Sequence, residues 1–139
     1  MFPHLHKKPR YWTLTFNSFH QGCTANLGYK NVINSFGEVK YRDFEEGEAL
    51  EEKTWNFPIE RCDRILDLFN KHKAEMSERD DTRRQPTIGH TDLYIKMEME
   101  GHREQKFSSN HATLESLEAF EVEVLKLVDT VEMFDLEEE

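Results

Sequence analysis

Two histidines stand two residues ahead of a side chain able to share a proton with them. His90 precedes Asp92 beside a loop, and His111 precedes Thr113 ahead of a helix. With a substrate in a cleft, His90, Asp92 and His111 could supply the acid and base of a small hydrolase. His4-x-His6 lies in the terminus, and the other histidines, at positions 20, 72 and 102, form no i,i+4 helical pair and no set of Cys/His spacings typical of zinc, so neither a metal nor a cofactor is expected. Cys23 and Cys62 have no basic neighbour placed to generate a thiolate, and they are too few for a disulfide framework. Both are expected reduced, although one bridge between them is conceivable. The chain has no Gly-x-Ser-x-Gly turn and no Gly-rich phosphate loop.

The tripeptide His111-Ala112-Thr113 resembles one half of the motif of the two-histidine phosphodiesterases, which imply a phosphodiesterase-like activity. That family carries two such tripeptides on paired strands, and this chain has one. No catalytic residue is therefore assigned, and a non-enzymatic protein is expected.

The charge distribution is more informative. Glu115 to Glu139 holds ten acids against one base, Lys126, and so accounts for −9 of the formal net charge of −10. A one-signed segment steers a basic partner and repels nucleic acid and anionic membrane. On a helix at about 100° per residue, Glu115, Glu118, Glu121, Glu123, Asp129 and Glu132 are expected to face away from the core with Val122 and Leu125 among them. Aliphatic anchors rimmed by charge are the pattern of an interface centre. The partner-binding residues expected are Glu115, Glu118, Val122, Leu125, Asp129 and Glu132, with Glu45, Glu46 and Glu48 as a second acidic patch. A solvated helix face with an acidic tail would look much the same.

Three functions follow. The first is a non-enzymatic inhibitor that covers the basic, nucleic-acid-binding surface of a partner such as a nuclease, with carboxylates in place of phosphates. Immunity proteins and phage anti-defence proteins share this size and charge as a physical class. The second is the small hydrolase above, and the third is a homo-oligomeric module, such as a homodimer. Direct nucleic-acid binding is not expected, because basic residues cluster in sequence only at Lys7, Lys8 and Arg10 and at Arg79, Arg83 and Arg84.

A chain of 139 residues, 37% hydrophobic with ten Phe, two Trp and four Tyr, suits one compact core. No run approaches the roughly 20 apolar residues that span a bilayer, and the basic start lacks an apolar stretch behind it, so a cytoplasmic protein is expected. Residues 1–10 read as a flexible basic terminus, 11–134 as one domain and 135–139 as an acidic tail.

Within that domain, Tyr11 to Phe16 alternates as a strand. Ala25 to Ile33 and Glu38 to Phe44 flank an Asn34-Ser35-Phe36-Gly37 turn, with Val39 and Tyr41 facing the core and Lys40 and Arg42 facing water. The acidic stretch 43–53 reads as a solvated loop, before Trp55 and Phe57 return to the core. Pro58 opens a helix with a stripe of Ile59, Cys62, Ile65, Leu66, Phe69 and Met76. Residues 77–90 read as a loop. Leu93, Ile95, Met97 and Met99 alternate as a strand whose partner lies near 103–108, and a second helix runs from 110–113 to about Met133. The order β-β-β-α-β-β-α implies an α+β fold, an antiparallel sheet of about five strands with two helices packed on one face.

Overall fold

The computed structural model describes residues 11–21, 26–46, 48–78, 90–109 and 112–129. It is an α+β two-layer sandwich built on an antiparallel sheet. The strands are β1 (Trp12–Gln21), β2 (Asn26–Asn34), β3 (Glu38–Glu45), β4 (Glu48–Ala49), β5 (Lys53–Asn56), β6 (His90–Met99) and β7 (Gln105–Ser108). Their spatial order is β4-β3-β2-β1-β6-β7, and β5 also pairs with β3. The helices α1 (Cys62–Ser77) and α2 (Leu114–Val128) cover one face.

β1 is central because it pairs along its whole length with β6 on one side and with β2 on the other. Its Trp12, Leu14 and Phe16 meet Ile33 and Val39 from β2 and β3 and Leu93, Ile95 and Met97 from β6, all buried. From the helix layer come Ile65, Leu66, Phe69 and Met76 of α1 and Leu117, Phe120, Val124 and Val128 of α2. Phe120 is the junction of the two layers. Its ring lies 5.7 Å from Phe16, 6.0 Å from Phe69 and 5.7 Å from the buried imidazole of His72.

The β2–β3 turn forms where Asn and Gly predict it. Asn34 Oδ1 accepts from the backbone N–H of Phe36 and Glu38, and Gly37 adopts φ +82°, where a Cβ would meet Phe57 O at 2.7 Å.

Three expectations need correction. The sheet has seven strands, because 43–53 is not a loop: β3 continues to Glu45, β4 follows, and β5 pairs Trp55 with Val39. Edge strands tolerate this acidity because their outer sides face water. Ile59 is 56% exposed, because residues 59–61 form a 3-10 turn that is out of phase with the α1 stripe. Finally, α2 ends at Val128 with Asp129 extended, not near Met133. Its last carbonyls are taken from outside: Trp55 Nε1 donates to Val128 O and Arg61 Nη1 to Leu127 O, both at 2.9 Å. The Arg61 charge also complements the helix C-terminus.

Candidate functional site

The fold divides the acids of α2 rather than presenting them together. Glu115 and Glu118 are exposed, and Val122 is 50% exposed on the same ridge. Leu125 is half-buried and packs on the core, and Asp129 is partly buried, which raises its carboxyl pKa. Glu132 lies outside the described residues. Glu123 Oε2 pairs with His72 Nε2 at 2.8 Å, a hydrogen bond that holds the Glu123 carboxyl below its ordinary range. The stabilisation from that bond is present above the ordinary value of 4.5 and is lost as pH falls through the lowered pKa.

Glu121 departs most from expectation. It is buried against the sheet instead of facing away from the core. Tyr29 on β2 projects from the helix-covered face, and its hydroxyl donates to Glu121 Oε2 at 2.6 Å. Burial pushes the Glu121 carboxyl up, the Tyr29 bond pulls it down, and nearby Glu118 pushes it further up. A group whose folded pKa is raised favours the native state while it holds its proton. Its contribution is complete below 4.5 and fades as pH rises through the raised value. Glu121→Gln keeps an acceptor for Tyr29 and removes the charge. Thermal melting of this variant should show higher stability than wild type at neutral pH and a smaller loss as pH rises from 4.5.

Around Glu121 the strand registers assemble a polar patch. Tyr29 lies opposite Ser18 and Asp43, and Asn31 lies opposite Phe16 and Tyr41, so these residues share the helix-side face. Tyr29 and Tyr41 stack, with ring centroids 5.9 Å apart and planes 24° apart. Tyr41 Oη donates to Asp43 Oδ1 at 2.6 Å. Burial and the neighbouring carboxylates push both phenols well above their ordinary value. Asn31 is 3% exposed, yet its Oδ1 has no hydrogen-bond partner. Two residues along β3 from Asp43, Glu45 is exposed opposite Leu27, itself 46% exposed, and Glu46 and Glu48 continue the exposed acidic edge. Lys53, opposite Tyr41 at the rim, is the base facing the patch from β5.

No protein-family model and no curated protein matches the chain.

Of the acid–base candidates, Asp92 and Thr113 have described side chains. Asp92 Oδ1 accepts from Ser109 Oγ at 3.0 Å, where Ser109 is buried and also holds the Leu93 N–H. The side chain of His90 and all of His111 lie outside the described residues, as do Cys23 and the basic clusters 7–10 and 79–84. Cys62 is a free, buried thiol whose pKa burial raises. No group of three metal-ligating side chains occurs among the described residues, and none of their helices is long and apolar enough to cross a membrane.

Sequence reasoning found Glu115, Glu118, Glu45, Glu46 and Glu48 as exposed acids but missed Tyr29, Asn31, Tyr41, Asp43 and Glu121 as a group. Alternation along β2 and β3 puts Tyr29, Asn31, Tyr41 and Asp43 on one face. The Tyr29–Glu121 contact joins positions 92 residues apart and required the packed helix.

Proposed function

We infer that this protein is a non-enzymatic binding protein that takes a basic partner on its helix side, where α2 meets β2 and β3. The observation that carries this reading is the patch of acceptors at Glu121, Asp43 and Asn31. Two carboxylates are held by stacked tyrosines beside a buried amide oxygen with no partner. An unpaired buried acceptor costs about 1 to 3 kcal/mol. Lysine and arginine bring donors only, and a guanidinium also stacks on aromatic rings. A cationic side chain therefore offers what this patch lacks. The exposed Glu118, Glu45, Glu46 and Glu48 around it supply long-range attraction, and Leu27 and Val122 supply apolar contact. A partner that already displays arginines or lysines for a nucleic-acid backbone is the best complement, which makes inhibition of such a protein the natural consequence of binding.

The test is isothermal titration of an arginine-rich peptide into wild type and Glu121→Gln at several pH values. Wild type should bind more tightly as pH rises through the Glu121 titration, because a nearby guanidinium favours the ionised carboxylate. Glu121→Gln should bind more weakly and lose that pH dependence. Equal affinity and an equal pH profile for the two proteins would refute the assignment.

A further inference from the structure

The face of the sheet that the helices leave open gathers bases along its middle. Strand alternation and register place two neighbouring rows across it. One row runs Arg42, Lys30, Asn17, Tyr94, Ser108, and the next runs Lys40, Val32, Thr15, Lys96, Lys106. These rows hold five bases and no acid, and the rows flanking them hold Glu38 and Glu98 on one side and Asp92, opposite Phe19, on the other. Lys30 is directly opposite Arg42, and Lys96 is directly opposite Lys106. Like charges in directly opposed positions destabilise a sheet, and this face has two such pairs.

Acids at the rim offset the bases only in part. Arg42 meets Glu52 at 3.6 Å, Lys96 meets Glu98 at 3.5 Å and Glu104 at 3.8 Å, and Lys106 meets Glu104 at 3.4 Å. These are long, solvent-exposed contacts of the kind worth little. Lys30 and Lys40 have no ion pair among the described residues. In the same first row, Asn17 Oδ1 and Arg42 Nε are buried without hydrogen-bond partners. A cleft of about 710 Å³ is lined by Asn17, Lys30, Tyr94, Lys96 and Lys106 of this face together with Met76 and Ser77 at the end of α1. Beside it Phe19, 45% exposed, meets Tyr94 edge to face at 6.3 Å.

We propose that this open sheet face binds single-stranded nucleic acid, with Lys30, Lys40, Arg42, Lys96 and Lys106 on the phosphates and Phe19 and Tyr94 against unpaired bases. A basic groove beside aromatic side chains is the general requirement for holding a single strand without reading its sequence, and a duplex would keep its bases from the rings. The net charge of −10 does not forbid this. The acids of α2 lie on the other side of the sheet, and at physiological ionic strength charge is screened over about 8 Å. This surface is separate from the helix-side patch, so either can fail alone.

The experiment is fluorescence anisotropy of a labelled single-stranded oligonucleotide of about 12 nucleotides. It is titrated with wild type, Lys30→Glu/Lys96→Glu and Phe19→Ala, each checked for folding by circular dichroism. Inorganic polyphosphate and the matching duplex serve as competitors. Wild type should bind at low salt and weaken as salt rises. The double reversal should lose at least about tenfold in affinity, and Phe19→Ala several-fold, and the duplex should compete poorly. No binding at low salt, or equal binding by the double reversal, would overturn the proposal. Polyphosphate competing as well as unlabelled oligonucleotide, with Phe19→Ala unchanged, would overturn the nucleic-acid assignment.

Discussion

The double variant Glu45→Lys/Glu118→Lys is expected to fold as wild type does and to lose at least about tenfold in affinity for an arginine-rich peptide. Both side chains are exposed, on β3 and α2, and neither holds a described hydrogen bond. Surface changes of this kind usually move stability by no more than about 0.5 kcal/mol. Binding should respond far more strongly. Each reversal turns an attraction beside the Glu121–Tyr29–Asp43 patch into a repulsion, and about 1.4 kcal/mol in total already amounts to a tenfold change. Titration calorimetry measures the affinity and circular dichroism the fold. The loss should shrink as salt is added, because the contribution of rim charges is screened.

Phe120→Ala carries the largest expected effect on stability, a loss of about 3 to 5 kcal/mol. Phe120 is 0% exposed and touches both layers through Phe16, Phe69 and His72, so truncation leaves a void walled by β1, α1 and α2 together. Small domains are stable by only about 5 to 15 kcal/mol, and the variant should melt far below wild type or fail to accumulate as a folded protein. A melting temperature near that of wild type would mean that the helix layer is not anchored through this ring.

The elements legible in the sequence are those whose periodicity is set by a single buried face. Trp12, Leu14 and Phe16, then Leu93, Ile95 and Met97, alternate cleanly because their strands lie at the sheet centre under the helices. Asn34 and Gly37 mark their turn because the backbone there needs those two residues. The acidic edge at 43–53 reads as a loop because β4 and β5 are short and hold little apolar surface, and pairing to β3 rather than burial makes them strands. The end of α2 was misplaced because its stop signal comes from Trp55 and Arg61, distant in sequence.

The site was legible only in part for the same reason. Local patterning identifies Glu115, Glu118 and Glu45 as exposed acids. It cannot show that Glu121 turns inward to Tyr29, since a carboxylate on a helix is expected to face water until a specific partner is packed against it. The basic sheet face was missed because its five residues lie on β2, β3, β6 and β7, spread from position 30 to position 106. Charge counted along the chain shows no basic cluster there, and only the strand register assembles one.

The most direct test of the helix-side reading is the side-chain amide of Asn31, followed by nuclear magnetic resonance while an arginine-rich peptide is added to the folded protein. A saturable shift of that amide resonance, together with the Tyr29 and Tyr41 ring signals, is the predicted result, because the unpartnered Oδ1 gains a donor. Peptide binding that leaves the Asn31 amide and both tyrosine rings unmoved would contradict it.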